Sequence, residues 1–269
     1  MRSVLTLLVV AVALPAAAPP PNAPLPSATP ARAARLADST EALYSAIDEW
    51  RATGAPRPGR ELRLWALDQQ RMYLALGLAR PAAGDAVIRR LPRELRANAR
   101  DVITARRALV RLTPPTRRPI SSFRTGPAEP AERLRGHYRK AQRRFGVPWN
   151  VLAAVNFVET AFGKVRSSST AGAQGPMQFL PSTWRAYGLG GDIHDPHDAI
   201  LGAANYLRAA GAPRNLRGAL FTYNRSELYV DAVLAYARVM RRDLRAFYGF
   251  YSWQVFVRTP RGYRRITSP

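Results

Sequence analysis

Glu159 is the only acidic residue in residues 147–184, and its placement could support acid–base chemistry. At about 100° per residue, Val151, Leu152, Val155, Val158 and Phe162 fall on one helical arc. Glu159 falls inside that arc, between the directions of Leu152 and Val155, while Pro148 suits the first helical position. A carboxyl on a dry face holds its proton more readily, because desolvation disfavours the charged form. A proton retained near neutral pH is what a general acid donates. The same position would also suit a structural glutamate paired with one of the many arginines. Residues 163–175, rich in Ser, Gly and Ala, form a loop long enough to be a groove wall, and small residues let a backbone approach a ligand. Met177 and Gln178 follow, and Tyr223 and Asn224 come later. On their own the last two read as core and as turn chemistry.

The order Glu159-Thr160, then Gly172-Ala173-Gln174-Gly175-Pro176-Met177-Gln178, then Tyr223-Asn224 resembles the soluble lytic transglycosylase (SLT) family. The segment from Tyr223 to Val230 resembles its actinobacterial and membrane-bound variants. Thr160 stands where the family usually has serine, which keeps the hydroxyl and adds a methyl. The resemblance covers about residues 133–240. It implies a lysozyme-like helical domain that cleaves the β-1,4 bond between N-acetylmuramic acid and N-acetylglucosamine in peptidoglycan, leaving a 1,6-anhydromuramyl end. It implies Glu159 as acid and then base, with Thr160, Gln178, Tyr223 and Asn224 holding the sugar and its acetamido group and Met177 shaping the pocket. No metal and no organic cofactor is implied. Glycosidases ordinarily use two carboxylates, and a hydrolytic muramidase resembling goose-type lysozyme would need a base for water. Asp192, Asp195 and Glu227 are candidates, each with a capping or surface role of its own. A non-catalytic wall-binding protein is a further alternative, opposed by the joint presence of Glu159, Gln178, Tyr223 and Asn224.

The formal net charge is +23, with 41 Lys and Arg, of which only Lys140 and Lys164 are lysine. A GC-rich genome accounts most simply for that bias. Physically, such a charge draws the chain to polyanions, including anionic cell-wall polymers, less so as salt rises. The arginines are scattered, not gathered on one helix, so a nucleic-acid module is not expected. The chain has no cysteine, which excludes disulfides and a cysteine nucleophile. No G-x-S-x-G elbow is present, and there are three histidines, His137, His194 and His197.

Arg2, the apolar run 4–14 and the small residues Ala16, Ala17 and Ala18 read as a secretory signal, with an uncleaved anchor as the alternative. An extracytoplasmic, envelope-associated monomer is expected. The expected organisation is signal and start of linker at 1–24, Pro/Ala-rich linker without packed structure at 25–30, and an N-terminal helical region at 31–113. A Pro-rich linker at 114–129, the catalytic domain at 130–247 and a hairpin tail at 248–269 complete it. The fold class expected is mainly α, with helices over 31–52, 61–78, 81–90, 92–112 and 130–145 before the Glu159 helix. Gly146 serves as a C-cap. Among Asp192, His194, Asp195, His197 and Asp198, a metal loop is possible in principle, but Asp195 as N-cap, Pro196 as first helical residue and Asp198 one turn in fit capping better. Ser226 is expected to cap the helix bearing Tyr229, Val233, Tyr236, Ala237 and Met240. Alternation at Trp253, Val255 and Val257, then Thr259-Pro260-Arg261-Gly262, reads as a strand and turn.

Overall fold

Proline and glycine punctuate the chain into helices, and the computed structural model, which describes residues 17–266, places eleven α-helices among them. They are α1 (Thr29–Thr53), α2 (Arg60–Leu78), α3 (Pro81–Arg90), α4 (Arg93–Leu112), α5 (Ala131–Phe145), α6 (Trp149–Thr160), α7 (Pro181–Tyr187), α8 (Pro196–Ala209), α9 (Leu216–Tyr223), α10 (Glu227–Arg242) and α11 (Leu244–Ser252). Two strands, β1 (Phe256–Thr259) and β2 (Gly262–Arg265), pair antiparallel with Thr259 opposite Gly262. The protein is therefore mainly α with a C-terminal hairpin. No helix among the described residues is long and apolar enough to cross a membrane. The expected signal sequence lies largely outside the described residues.

The helix ends follow local chemistry. Gly146 closes α5 in the left-handed region, at φ 75°. Asp195 caps α8, its Oδ1 accepting from the Asp198 N–H at 3.0 Å, with Pro196 as the first helical residue. Ser226 does occupy the N-cap position of α10, but only its carbonyl is used, accepting from the Val230 N–H. Pro148 precedes α6 as its N-cap, not its first residue.

Three expectations need correction. First, α6 is not amphipathic: from Asn150 to Asn156 every residue is buried, because α5, α8 and α10 all pack on it. Phe162 lies beyond its end, so the apolar arc does not run that far. Second, the chain remains helical to Ser252, and Trp253 is a buried aromatic after α11, not the start of a strand. Its ring packs against Phe250 and Tyr73, so its apolar character serves the core. Third, the Pro/Ala-rich lead-in is packed. Arg71 Nη1 donates to the Ala23 carbonyl at 2.7 Å, and Leu25 rests against the core.

The core runs continuously from α1 to Trp253. The largest helix–helix interface joins α4 to α10, and α10 in turn packs along α6. The hairpin is held by α2: Gln70 Nε2 donates to the Gln254 carbonyl and Gln70 Oε1 accepts from the Gln254 N–H, both at 2.8 Å. Asp68, an acid of the N-terminal region, is also buried. It accepts from Arg35 Nε at 2.7 Å and from the Ser39 hydroxyl at 2.6 Å, which satisfies a charge that would otherwise be costly there.

Candidate active site

The last turn of α6 carries Glu159 and is pinned from below by polar side chains in an otherwise apolar helix. Asn156 is fully buried; its Oδ1 accepts from the Tyr138 hydroxyl at 2.5 Å and its Nδ2 donates to the Pro176 carbonyl at 2.7 Å. Thr160, one turn later, donates its hydroxyl to the same carbonyl at 2.6 Å and accepts from the Gly163 N–H at 2.9 Å. The Thr160 hydroxyl is thus committed inside the protein, and its added methyl is buried with it. Together these bonds tie the end of α6 to the segment that bears Met177 and Gln178.

The backbone turns sharply on either side of this knot. Ala161 and Phe162 have φ 52° and 65°, and Gln178 has φ 49°. Left-handed conformations are costly for residues with a Cβ, and they gather where a site is held by its surroundings. At Phe162 the cost is offset by full burial of the ring, which stacks on Phe157. Gln174 and Phe179 exchange both backbone hydrogen bonds, at 2.8 and 2.9 Å, which closes the tight turn 175–178. Gly175 in that turn admits no side chain, since a Cβ would stand 1.9 Å from the Ile193 carbonyl oxygen.

Glu159 opens onto a groove of about 540 Å³, in which it is the only carboxylate among the lining residues. Its Oε1 accepts from the Tyr229 hydroxyl at 2.7 Å. Burial pushes the carboxyl up to about 7, and the Tyr229 hydrogen bond opposes that rise. Gln178 lines the same groove, with its Nε2 donating to the Gly175 carbonyl at 3.0 Å, which leaves its Oε1 as an acceptor. Gln178 also borders a second cleft of about 340 Å³, walled by Phe179, Tyr206 and Tyr223. Tyr223 donates to the Met177 carbonyl at 2.6 Å and stacks parallel to Tyr229 with ring centres 6.5 Å apart. Met177 itself is buried, so it enters the site through that carbonyl. Asn224 follows in extended conformation, half-buried, and lines neither the groove nor the cleft.

The other acids are used elsewhere. Asp195 and Asp198 accept backbone N–H groups, and Asp198 Oδ1 also lies 3.0 Å from His197 Nδ1. Asp195, His197 and Asp198 do come within 4.8 Å of one another, but Lys140 Nζ stands 2.9 Å from His197 Nε2, a poor neighbour for a cation. Glu227 pairs with Arg217 at the exposed start of α10. None of Asp192, Asp195 and Glu227 lines the groove with Glu159.

Tyr229, Asn156 and Lys164 were not singled out from the sequence. Asn156 had a signal, being the polar residue inside an apolar helix one turn before Thr160. Tyr229 had none, since it sits in the apolar stripe of α10. Lys164 donates to the carbonyls of Tyr251 and Trp253, fixing the end of α11 beside the loop after Glu159. Burial lowers its amine to about 7.

With Glu159 as the acid of a reaction in this groove, kcat/KM would decline above about pH 7, where the carboxyl loses its proton. Tyr229→Phe removes the contact that stabilises the carboxylate. The alkaline limb should then move upward, by about one pH unit. A pH–rate profile of the variant with an unmoved limb would show that another group titrates.

Residues 137–242 match the family described as the transglycosylase SLT domain. A curated relative is the membrane-bound lytic murein transglycosylase F of Thiobacillus denitrificans, 34% identical over 74 residues, which are 28% of this chain and 15% of the relative. The match therefore spans far less than two thirds of that relative's length. No solved structure matches the chain significantly.

Proposed function

Because this chain carries a transglycosylase SLT domain at residues 137–242, we propose that it is a peptidoglycan lytic transglycosylase in which Glu159 is the single acid and base. The observation that carries the reading is that the groove offers one carboxylate, half-buried and inclined to hold its proton near neutral pH. Such a group suits a reaction that needs no second acid. Glu159 would protonate the glycosidic oxygen between N-acetylmuramic acid and N-acetylglucosamine as the C1–O bond breaks. The muramic acetamido oxygen would shield C1 as charge develops. The carboxylate would then take the proton of the C6 hydroxyl as its oxygen bonds to C1. Tyr229 would hold Oε1 through both steps, leaving Oε2 toward the sugar. Gln178 would bind the acetamido N–H through Oε1, and the aromatic cleft beyond it would receive the next sugar face. Asn224 and Tyr223 would act by setting the turn and the Met177 carbonyl, and Thr160 by fixing the segment that carries Gln178. The place of action would be the cell envelope, where the positive charge favours retention on anionic polymers.

Mass spectrometry of the fragments released from purified peptidoglycan tests this. Fragments lighter by one water than hydrolysis products are expected. Reducing-end fragments would instead indicate a muramidase, with a base supplied from outside the groove.

A further inference from the structure

Resting on that reading, we infer that the wall of the groove built outside residues 137–242 binds a carboxylate of the peptide carried on the glycan, with Arg106, Arg118 and Arg258 as its cations. All three line the groove that holds Glu159. They come from three separate segments: α4, the chain between α4 and α5, and β1.

Each guanidinium is held, yet none is neutralised by an ion pair among the described residues. Arg106 donates Nη2 to the Tyr263 hydroxyl at 3.0 Å and lies 5.6 Å from that ring's centre. Its Nε is buried without an acceptor. Arg258 donates to the Val110 carbonyl, and its own carbonyl accepts from the Thr116 N–H at 2.8 Å, which ties Arg258 to the stretch bearing Arg118. Arg118 lies over Phe123, 5.0 Å from the ring centre. Elsewhere arginines find acids: Arg35 pairs with Asp68, and Arg238 and Arg242 with Asp101. A guanidinium presents five N–H donors in a fixed fork that matches a carboxylate. Arg118, which is exposed, and Arg258 can turn such a fork to a ligand, while Arg106 lies deeper, against Tyr236 and Tyr263.

The ligand's chemistry follows from the substrate. In peptide-bearing glycan the lactyl carboxyl of N-acetylmuramic acid is taken up in the amide bond to the peptide, so the sugars themselves are uncharged and fixed cations gain little from them. The free acidic groups of peptide-bearing glycan lie on the peptide, which branches from the glycan, and this wall lines the same groove as Glu159 and Gln178. Glu159, the one acid nearby, does not oppose such a ligand while it keeps its proton.

The test uses the full chain and soluble glycan fragments of equal length in three forms: peptide-bearing, peptide-bearing with amidated carboxylates, and peptide-free with the lactyl carboxyl capped as an amide. Titration calorimetry should show the first bound roughly tenfold more tightly than the other two, which should be alike. Arg118→Gln, at an exposed position, should bring that ratio to about two or three. Equal affinity of the parent for all three forms overturns the inference. So does tighter binding that survives amidation, or a ratio unchanged by Arg118→Gln. Anhydro products from the same fragments report separately on the reaction: their absence removes the transglycosylase reading, while the binding ratio still decides the peptide site.

Discussion

Glu159→Gln is expected to lower the turnover of peptidoglycan by about 10³-fold, because one side chain would be lost from both the proton-donating and the proton-accepting step. Glutamine keeps the shape and can still accept the Tyr229 hydroxyl bond. Fragment release measured by mass spectrometry would then fall with the fold intact. The stability of the variant provides a control with its own sign. The carboxyl is pushed up to about 7 in the folded protein and titrates in the ordinary glutamate range when unfolded. Between those values the folded state holds a proton that the unfolded chain has released. Parent stability therefore falls as pH rises through that window. Glutamine has no such slope, so the variant should melt higher than the parent at pH 8, with the gap closing by pH 5. A variant with near-parental turnover would move the chemistry away from Glu159.

Asn156→Ala should have the largest effect on stability, about 3 kcal/mol by urea denaturation. Asn156 joins α5, α6 and residues 174–178 through Tyr138 and Pro176. Alanine would leave the buried Tyr138 hydroxyl without its acceptor and the Pro176 carbonyl with one donor fewer, and would open a cavity beside them. Thr160→Ser, which keeps the hydroxyl and loses only a methyl, should cost about 1 kcal/mol. A loss for Asn156→Ala no larger than that of Thr160→Ser would mean that the knot relaxes around water. Turnover should fall with stability in Asn156→Ala, since Gln178 is presented by the same segment.

The sequence made some of this legible for reasons that can be named. Capping at Asp195, the break at Gly146 and the turn at 260–261 rest on local backbone chemistry, and those assignments match the structure. Glu159 stood out as an acid among apolar residues, and the structure leaves it half-buried at the groove, although the face argument was incomplete because α6 is buried all round from Asn150 to Asn156. The partners of Glu159 were not legible. Tyr229 reaches it across 70 residues of chain, and an apolar stripe says nothing of where a tyrosine's hydroxyl points. Thr160 was expected at the sugar and its side chain is buried instead, because a motif marks that a residue matters without saying on which side of the backbone it acts. The second groove wall was hidden for a similar reason: its arginines are far apart in sequence, and only packing brings them together.

The α4–α10 interface carries a lesson for dissecting this protein. Residues 137–242 match the family, but the hydrophobic core they pack into is wider. Helix α10 supplies Tyr229 to Glu159 on one side and lies against α4 on the other, while the hairpin is fastened to α2 by Gln70. A fragment cut at the homology limits would present the bare flank of α10 to water. What is matched as a module is thus not closed as one: the N-terminal helices cover the flank of α10 much as a partner subunit covers an interface, except that they belong to the same chain.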